Sequence, residues 1–495
     1  MSDNNRLSYE QRKAMYEQNI RDTDGRRQAD KLRDVPSAEI NGSKNKRPSV
    51  KHKAQRIELK PPKTAQTEPK PVPLPDTGGN AAGEITVGSV VAAIRKKFPK
   101  LEAPIMDYTS NAKRGRFDMP LFTVVLILIV MGIVMMSSAS YAYALKEEGN
   151  SFAYAERQLV AAVVGFIFMI LLSRVDYHIW TIPFKYLPRK KREKAKNGNG
   201  LNPAMLFFVV SCGLMIAVML FGDSVNDAKR WITVFGIQFQ PSELLKVACI
   251  ILMAYMLQKN YERRNSLWYG FLKYWFIIVP AALLCFAQRH VSAMLIIMAI
   301  IFLMMYVGGC NSKGLVAIVA LVILACLVLL YVVKWDYLTD RITSWLDPFS
   351  DMGDTTYQTS QSLITIGSGG WFGLGLGNSR QKYYYLPESQ NDFVFSIICE
   401  ELGFFGGMTV ILLFVLFEIR GFFIAGRAKD KFGSLVALGI TVQIGLQAIL
   451  NIAVACNAIP NTGISLPFFS YGRSALLTQM AEVGILLSIS KQADT

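Results

Sequence analysis

The sequence predicts an all-α, polytopic membrane protein with about ten membrane-crossing helices, and three observations carry that prediction. Apolar runs close to the roughly 20 residues that span a bilayer recur from residue 119 onward. Hydrophobic residues make up 52% of the chain and charged residues only 18%, below the roughly 25% usual in soluble proteins. Basic clusters in the N-terminal tail, at Arg189-Lys190-Lys191-Arg192, at Arg263-Arg264 and over 427–431 all fall on one side once the runs are numbered as spans. That is the positive-inside pattern, and it assigns that side, with both termini, to the cytoplasm of a multi-pass protein. The net charge of +16 therefore reads as topology and not as nucleic-acid binding.

Residues 1–118 read as a basic, mostly disordered cytoplasmic tail, low in hydrophobicity and with a proline-rich, extended linker over 60–75. Residues 84–98 (EITVGSVVAAIRKKF) fit an amphipathic helix at the membrane surface or a transient helix in a linker. No signal peptide opens the chain, so the first span is expected to be an uncleaved anchor. The transmembrane domain is expected over 119–491, with spans at 119–142, 158–172, 203–221, 241–259, 272–287, 291–307, 314–333, 393–417, 435–454 and 475–490. An even number of spans returns the C-terminus to the side on which the first began. Between the seventh and eighth lies one large extracytoplasmic loop, 334–392. Connections are usually short, so a long one rich in Asp, Gly and aromatic residues is a functional candidate. The three histidines (His52, His178, His290) are scattered, and the seven cysteines show no CxxC or metal-ligand spacing and read as small packing residues.

Three outer segments concentrate polar and charged residues. The first is Asn226-Asp227-Ala228-Lys229-Arg230-Trp231, followed by Gln240-Pro241-Ser242-Glu243 and Lys246. The second runs from Trp345-Leu346-Asp347-Pro348-Phe349-Ser350-Asp351 through Tyr357-Gln358, Gln361-Ser362, Gly367-Ser368-Gly369-Gly370, the string GLGLGNSRQ over 373–381, Leu386-Pro387-Glu388 and Asp392-Phe393 to Glu400-Glu401-Leu402-Gly403. The third is 460–472, PNTGISLPFFSYG, with Ser470 before its Tyr-Gly. In this order the patterns resemble the SEDS (shape, elongation, division and sporulation) family, which includes FtsW and RodA with their SpoVE relatives. The string GNSRQK followed by LPE is more similar to the division-type FtsW. The resemblance covers 121–491. It implies a glycosyltransferase that polymerises lipid II into glycan strands at the outer face of the bacterial cytoplasmic membrane, in a cell-division role. It also implies a class B penicillin-binding transpeptidase and other divisome proteins as partners, amid membrane lipids.

The residue types suit that chemistry. A lipid-linked diphosphate is already a good leaving group, so no acid is needed to protonate it; cations that hold its developing charge and one carboxylate base suffice. The resemblance assigns the base to Asp351, which would take the proton from the acceptor 4-hydroxyl for an inverting attack. An ordinary Asp, with a pKa near roughly 4, is ionised at neutral pH. Asp347, whose place before Pro is common turn chemistry, and Asp354 are its rivals.

Lys229 and Arg230 suit diphosphate binding or interfacial anchoring beside Trp231. Gln240, Ser242, Glu243, Lys246, Gln358, Glu388, Asp392 and Ser470 are the other candidate substrate residues. Glu243 and Lys246 also fit a structural intramembrane pair. The acids Glu388, Asp392, Glu400 and Glu401 also fit helix-start capping, and 367–377 reads as flexible turns. A divalent cation would suit diphosphate chemistry, but no ligand set is visible.

Two positions depart from the family pattern. An acidic Pro-Asp-x-Gly-Thr motif is replaced by Gln288-Arg289-His290-Val291-Ser292, and Gly-Gly after Ser-Tyr by Gly472-Arg473. A flippase for lipid-linked sugars is the alternative from another class, but transporters often show inverted repeats with matching broken helices, and none is visible. An elongation role is the alternative within the family.

Overall fold

Helix starts in the chain are written by capping residues and prolines, and the structure, a computed structural model, uses both. It describes residues 115–182, 201–225, 228–234, 237–264, 266–270, 272–310, 315, 345–350 and 356–493. The tail to 114, the loop at Arg189–Arg192, the seventh span (except residue 315), Asn226, Asp227, Asp351 and Asp354 lie outside the described residues. Helix α1 (Met119–Glu148) starts at Asp118, whose carboxylate accepts from Leu121 N at 2.8 Å, with proline in its first turn. Helix α2 is Ala153–Arg174. Asn202 caps α3 (Pro203–Phe221), accepting from Met205 N at 2.9 Å.

A small antiparallel sheet follows where the sequence reads as loop: β1 (Asp223–Val225), β2 (Ala228–Val234) and β3 (Ile237–Phe239), in the order β1-β2-β3. The run Trp231-Ile232-Thr233-Val234 explains it, being aromatic and β-branched. Pro241 then opens α4 (Pro241–Lys259). Helices α5 (Trp275–Ala287) and α6 (Val291–Val307) form a hairpin turning on three residues, Gln288 to His290. Within the large loop lies α7 (Tyr357–Ser368), whose buried face is mostly Thr, Ser and Gln. Then come α8 (Val394–Arg427), α9 (Lys431–Ala455) and α10 (Arg473–Gln492).

Six of these helices are long and apolar enough to cross a membrane, and 272–287 and 291–307 are shorter apolar helices. Nine of the expected spans thus have a described helix. Helices α4 and α9 are the most enclosed. Peripheral α1, α2, α3 and α8 leave large apolar side chains exposed, among them Val163 and Ile167 of α2, Val209 of α3 and Leu412 of α8. Such faces are stable only against lipid. Close helix approach is bought with small residues: a Cβ on Gly421 of α8 would collide with the Thr441 side chain of α9. The chain is a multi-pass membrane protein.

One end of the bundle carries the connections 174–182, 259–274 and 427–431, and is called the basic end. The other carries the sheet, the α5–α6 turn, the described parts of the large loop and 456–472, and is called the motif end. At the basic end, the start of α9 and the ends of α2 and α10 share an ionic cluster. His178 Nδ1 lies 2.8 Å from Asp176 Oδ1, and its Nε2 lies 3.5 Å from Asp430 Oδ1. Tyr177 OH donates to Asp430 at 2.5 Å, and Gln492 of α10 donates to Asp176 at 3.2 Å. Burial pushes the imidazolium pKa down, but the hydrogen bonds to Asp176 and Asp430 outweigh it and hold His178 up at about 9. Burial pushes both carboxyls up, and His178 more than offsets it, leaving each low. The histidine's stabilising contribution is complete below its unfolded value near roughly 6.5 and is lost as pH rises through about 9. The melting temperature of the purified chain should therefore fall across that window, and His178→Phe should flatten that part of the profile.

Candidate functional site at the motif end

Antiparallel pairing of Ser224 with Lys229 and Ile232 with Phe239 presents Lys229, Arg230 and Trp231 from one strand. Lys229 is exposed, and Arg230 and Trp231 are half-buried. The Arg230 guanidinium donates to Arg289 O at 2.6 Å and, more weakly, to Gln288 O at 3.5 Å, while Gln288 Nε2 donates to Met215 O at 2.9 Å. The sheet is thus tied to the α5–α6 turn, where Arg289 is exposed and holds a left-handed φ of 53°. Gln240 N donates to Ser474 Oγ of α10 at 3.3 Å. Below it, Ser242, Glu243 and Lys246 are buried, and Lys246 Nζ lies 2.9 Å from Glu243 Oε1. One turn of helix brings i and i+3 together on α4, within electrostatic range of Glu482 of α10.

The large loop closes on the segment after α9. Trp345 Nε1 donates to Asn457 O at 3.2 Å, and Asn457 Nδ2 returns a bond to Trp345 O at 3.1 Å. Asp347 O accepts from Ser350 N and Oγ, a turn. On the far side of 351–355, Asn461 Nδ2 donates to Gln358 Oε1 at 2.9 Å. Both flanks of that stretch are therefore pinned to 457–461. Ser362 of α7 donates to Ala455 O and shares a 2.7 Å bond with Ser396 of α8, which accounts for the polar burial of α7. Ser292, at the start of α6, donates to Thr462 O.

The third segment is equally tied. Asn451 Nδ2 donates to Asp392 O and Ile464 O, both at 2.7 Å. Ser470 Oγ donates to Asn391 O at 2.5 Å and accepts from Leu466 N at 2.7 Å. Gln158 of α2 donates to Ser470 O and accepts from Gly472 N. Glu388 has a left-handed φ of 54° and accepts from Asn391 Nδ2 at 2.6 Å. The Asp392 carboxylate lies against Gly463.

Glu400 and Glu401 are fully buried in the first turns of α8. They do not cap the helix; they hold the loop before it. Glu401 Oε1 accepts from Ser138 Oγ of α1 at 2.6 Å, from Ser379 N at 3.2 Å and from Lys382 Nζ at 3.0 Å, and its Oε2 accepts from Gly377 N at 2.9 Å. Glu400 accepts from Ser379 Oγ and, at 3.1 Å, from Arg380 N. Just beyond, α8 is interrupted at Gly403 (φ 69°, ψ −167°), and the loop fills the interruption. Leu374 N and Gly375 N donate to the carbonyls of Glu400 and Glu401 at 2.9 Å, while Phe404 N and Phe405 N donate to those of Gly370 and Trp371. Four backbone groups of α8 at the break are thereby used. The glycine run is a set of turns, fixed in place by this exchange.

A Cβ at Gly403 would meet Gly373 N and Trp371 O, in a backbone region open essentially to glycine alone. Gly403→Ala is expected to cost at least about 1–3 kcal/mol and to open 370–377 to limited proteolysis.

Of the sequence-predicted residues, Arg230, Gln240, Gln358, Glu388, Asp392 and Ser470 enter this linked set, Lys229 and Trp231 stand at its edge on the sheet, and Ser242, Glu243 and Lys246 lie beneath it. Asp351 falls between its pinned flanks but outside the described residues. Sequence reasoning missed Lys382, Ser138, Gln158, Asn451, Asn457 and Glu482, each a polar residue whose partner is distant in the chain. Polar residues inside apolar runs (Ser138, Gln158, Asn451, Glu482) were the available signal for four of them. Among the described residues, no group of three or more His, Cys, Asp and Glu side chains could hold a metal ion.

The linked motifs can now be set beside known proteins. A probable peptidoglycan glycosyltransferase FtsW of Geobacter sp. (strain M18) is 36% identical over 374 residues, covering 76% of this chain and 96% of that protein. The stage V sporulation protein E of Bacillus subtilis (strain 168) is 36% identical over 383 residues, covering 77% and 99%. The fold is shared with Thermus thermophilus RodA, at TM-score 0.53 and 24% identity over 77% of this chain and 98% of that one. It is also shared with a chain of a peptidoglycan synthase complex, at TM-score 0.59 and 24% identity over 76% and 98%. The family model of the FtsW, RodA and SpoVE cell cycle proteins matches residues 119–188 and 200–495, and the chain belongs to that family.

Proposed function

We propose that this chain is a peptidoglycan glycosyltransferase that polymerises lipid II into glycan strands in cell division, with Asp351 as general base. The motif end is the extracytoplasmic face. Arg263, Arg264, Arg427, Lys429 and Lys431 all lie at the opposite end, and basic residues accumulate in the cytoplasm. Both termini are then cytoplasmic, with residues 1–118 as a cytoplasmic tail and 119–491 as the catalytic transmembrane domain.

The supporting observation is that both flanks of 351–355 are pinned to 457–461, at the start of the third motif segment, which Ser292 joins to the α5–α6 turn that Arg230 of the first segment holds. Asp351 accepts the proton of the acceptor sugar's 4-hydroxyl as that oxygen bonds to the anomeric carbon of the donor. The bond from that carbon to the polyprenyl diphosphate breaks, and the electron pair leaves on the phosphate. Lys229 and Arg230, on the sheet tied to the α5–α6 turn, are the cations assigned to steady the departing charge. Gln240, Gln358, Glu388, Asp392 and Ser470 of the linked set and Trp231 at its edge are the other substrate residues, and Ser242, Glu243 and Lys246 are buried beneath them. The partner is a class B penicillin-binding transpeptidase, which consumes the nascent strand within the division machinery.

The test is reconstitution of the full chain in vesicles with its transpeptidase, supplied with lipid II. Glycan polymer is the expected product. Movement of lipid II between leaflets with no polymer would instead make the chain a flippase.

A further inference from the structure

Beneath the motif end, α4, α9 and α10 enclose a cluster of polar side chains that the transfer reaction does not use in full. Glu243 and Lys246 of α4 are paired at 2.9 Å. Glu482 of α10 is completely buried and lies within electrostatic range of both. Gln443 of α9, also completely buried, donates its amide to Glu482 Oε1 at 2.5 Å. Four oxygens of this neighbourhood have no hydrogen-bond partner from the protein: Glu243 Oε2, Glu482 Oε2, Gln443 Oε1 and Ser242 Oγ. Gln447 Oε1, one helical turn from Gln443, is a fifth. The Gln443 amide is aimed into the cluster by its own bond to Glu482, and it brings an acceptor there with nothing to accept from.

We propose that Glu243, Glu482 and Gln443, with Lys246, form an intramembrane site for one monovalent cation, either a proton or a sodium ion. Charge decides the valence. Two carboxylates and one ammonium leave one uncompensated negative charge in a region closed to water, which low-dielectric surroundings penalise heavily. A single positive charge makes the cluster neutral, whereas a divalent ion would only reverse the sign. Ligand chemistry agrees, because the five orphaned atoms named are hard oxygens, suited to a proton or an alkali ion and not to a soft metal, and His290 Nδ1, also without a partner, lies on the far side toward Arg230. Other titratable groups facing the cluster leave this count unchanged. Cys285 of α5 and His290 at the α5–α6 turn lie near Lys246, and both are buried. Arg230 lies beyond His290, with its guanidinium committed to the Gln288 and Arg289 carbonyls at the solvent edge. Above the cluster at the motif end, Gln240 N meets Ser474 Oγ, and Thr478 Oγ1, one turn further along α10, donates to Ser474 O at 2.9 Å.

Occupancy of such a site stabilises the folded chain, because the unfolded chain has no comparable site. The experiment measures melting temperature of the full-length purified chain and of Glu482→Gln, which keeps volume and removes the charge. Each is taken through a sodium chloride series against choline chloride at constant ionic strength, and through a pH series. His178 has a pH response of its own, so the quantity read is wild type minus variant. A sodium-specific rise in melting temperature that Glu482→Gln loses identifies sodium. A pH-dependent difference with no distinction between sodium and choline identifies the proton, and an infrared carboxylic-acid band lost in Glu482→Gln confirms it. Gln443→Met, a milder change, should weaken either response. Identical sodium and pH responses in wild type and both variants would overturn the proposal. So would an unfolded Glu482→Gln accompanied by a Gln443→Met that responds like wild type.

Discussion

Asp351→Asn is expected to lower polymerisation by about 10²–10⁴-fold, the usual worth of a positioned general base, while donor binding stays close to wild type. Asn has the same shape as Asp and still fills its place, but cannot take up the acceptor's proton at neutral pH. The loss should therefore fall on kcat with little change in KM, the signature of an interaction used in the transition state and not in the ground state. Asp347→Asn is the matched control. Asp347 is exposed and its carbonyl closes a turn with Ser350, so its loss should leave most activity. The reverse pattern, with Asp347→Asn inactive and Asp351→Asn active, would move the base four residues upstream. Glycan chains from reconstituted enzyme, resolved by gel, give the readout.

The nine spans that have a described helix were legible because lipid imposes a simple rule. A run that crosses it is apolar and helical, usually about 20 residues long, and basic residues mark one side. Boundaries at Asp118, Asn202, Pro203 and Pro241 follow from caps and prolines that local sequence displays. The three motif segments were legible too, because polar residues and glycines stand out between apolar runs. Their mutual ties were not. Trp345 meets Asn457 across 112 positions, and Gln158 meets Ser470 across 312. No periodicity records such pairings; they depend on which helices pack side by side. The small sheet over 223–239 was hidden by its brevity. Of the readings the sequence left open for Glu400 and Glu401, helix-start capping fails for a related reason. Acids at the start of a helix satisfy a local rule, whereas here the loop over 374–382 folds back onto them, and the break at Gly403 that admits it carries only one ambiguous glycine as a sign.

That foldback is where the second large effect is expected. Lys382 sits in a loop yet is only 2% exposed, and Glu401 is not exposed at all. The ammonium lies 3.0 Å from Glu401 Oε1, donates to Gly377 O at 2.7 Å and reaches Ser138 Oγ at 3.0 Å. Lys382→Met keeps the apolar stem and deletes the charge, leaving a buried carboxylate that neutral donors must hold unaided. Removing one partner of a buried pair typically costs about 3–5 kcal/mol, and a cost in that range is expected in denaturation of the purified chain. Glu401→Gln alone should be comparably costly, because it strands the ammonium. The double variant should recover much of the loss, since desolvating two charges offsets most of what their attraction contributes. Activity should follow stability only in part. Ser389 Oγ donates to Ala139 O and Tyr384 OH to Ala142 O, so the loop stays attached to α1 beyond the ion pair. A double variant as stable as wild type but still inactive would mean that the pair positions Glu388 and Asp392 for catalysis. One that regains both stability and polymerisation would mean that the pair only holds the fold.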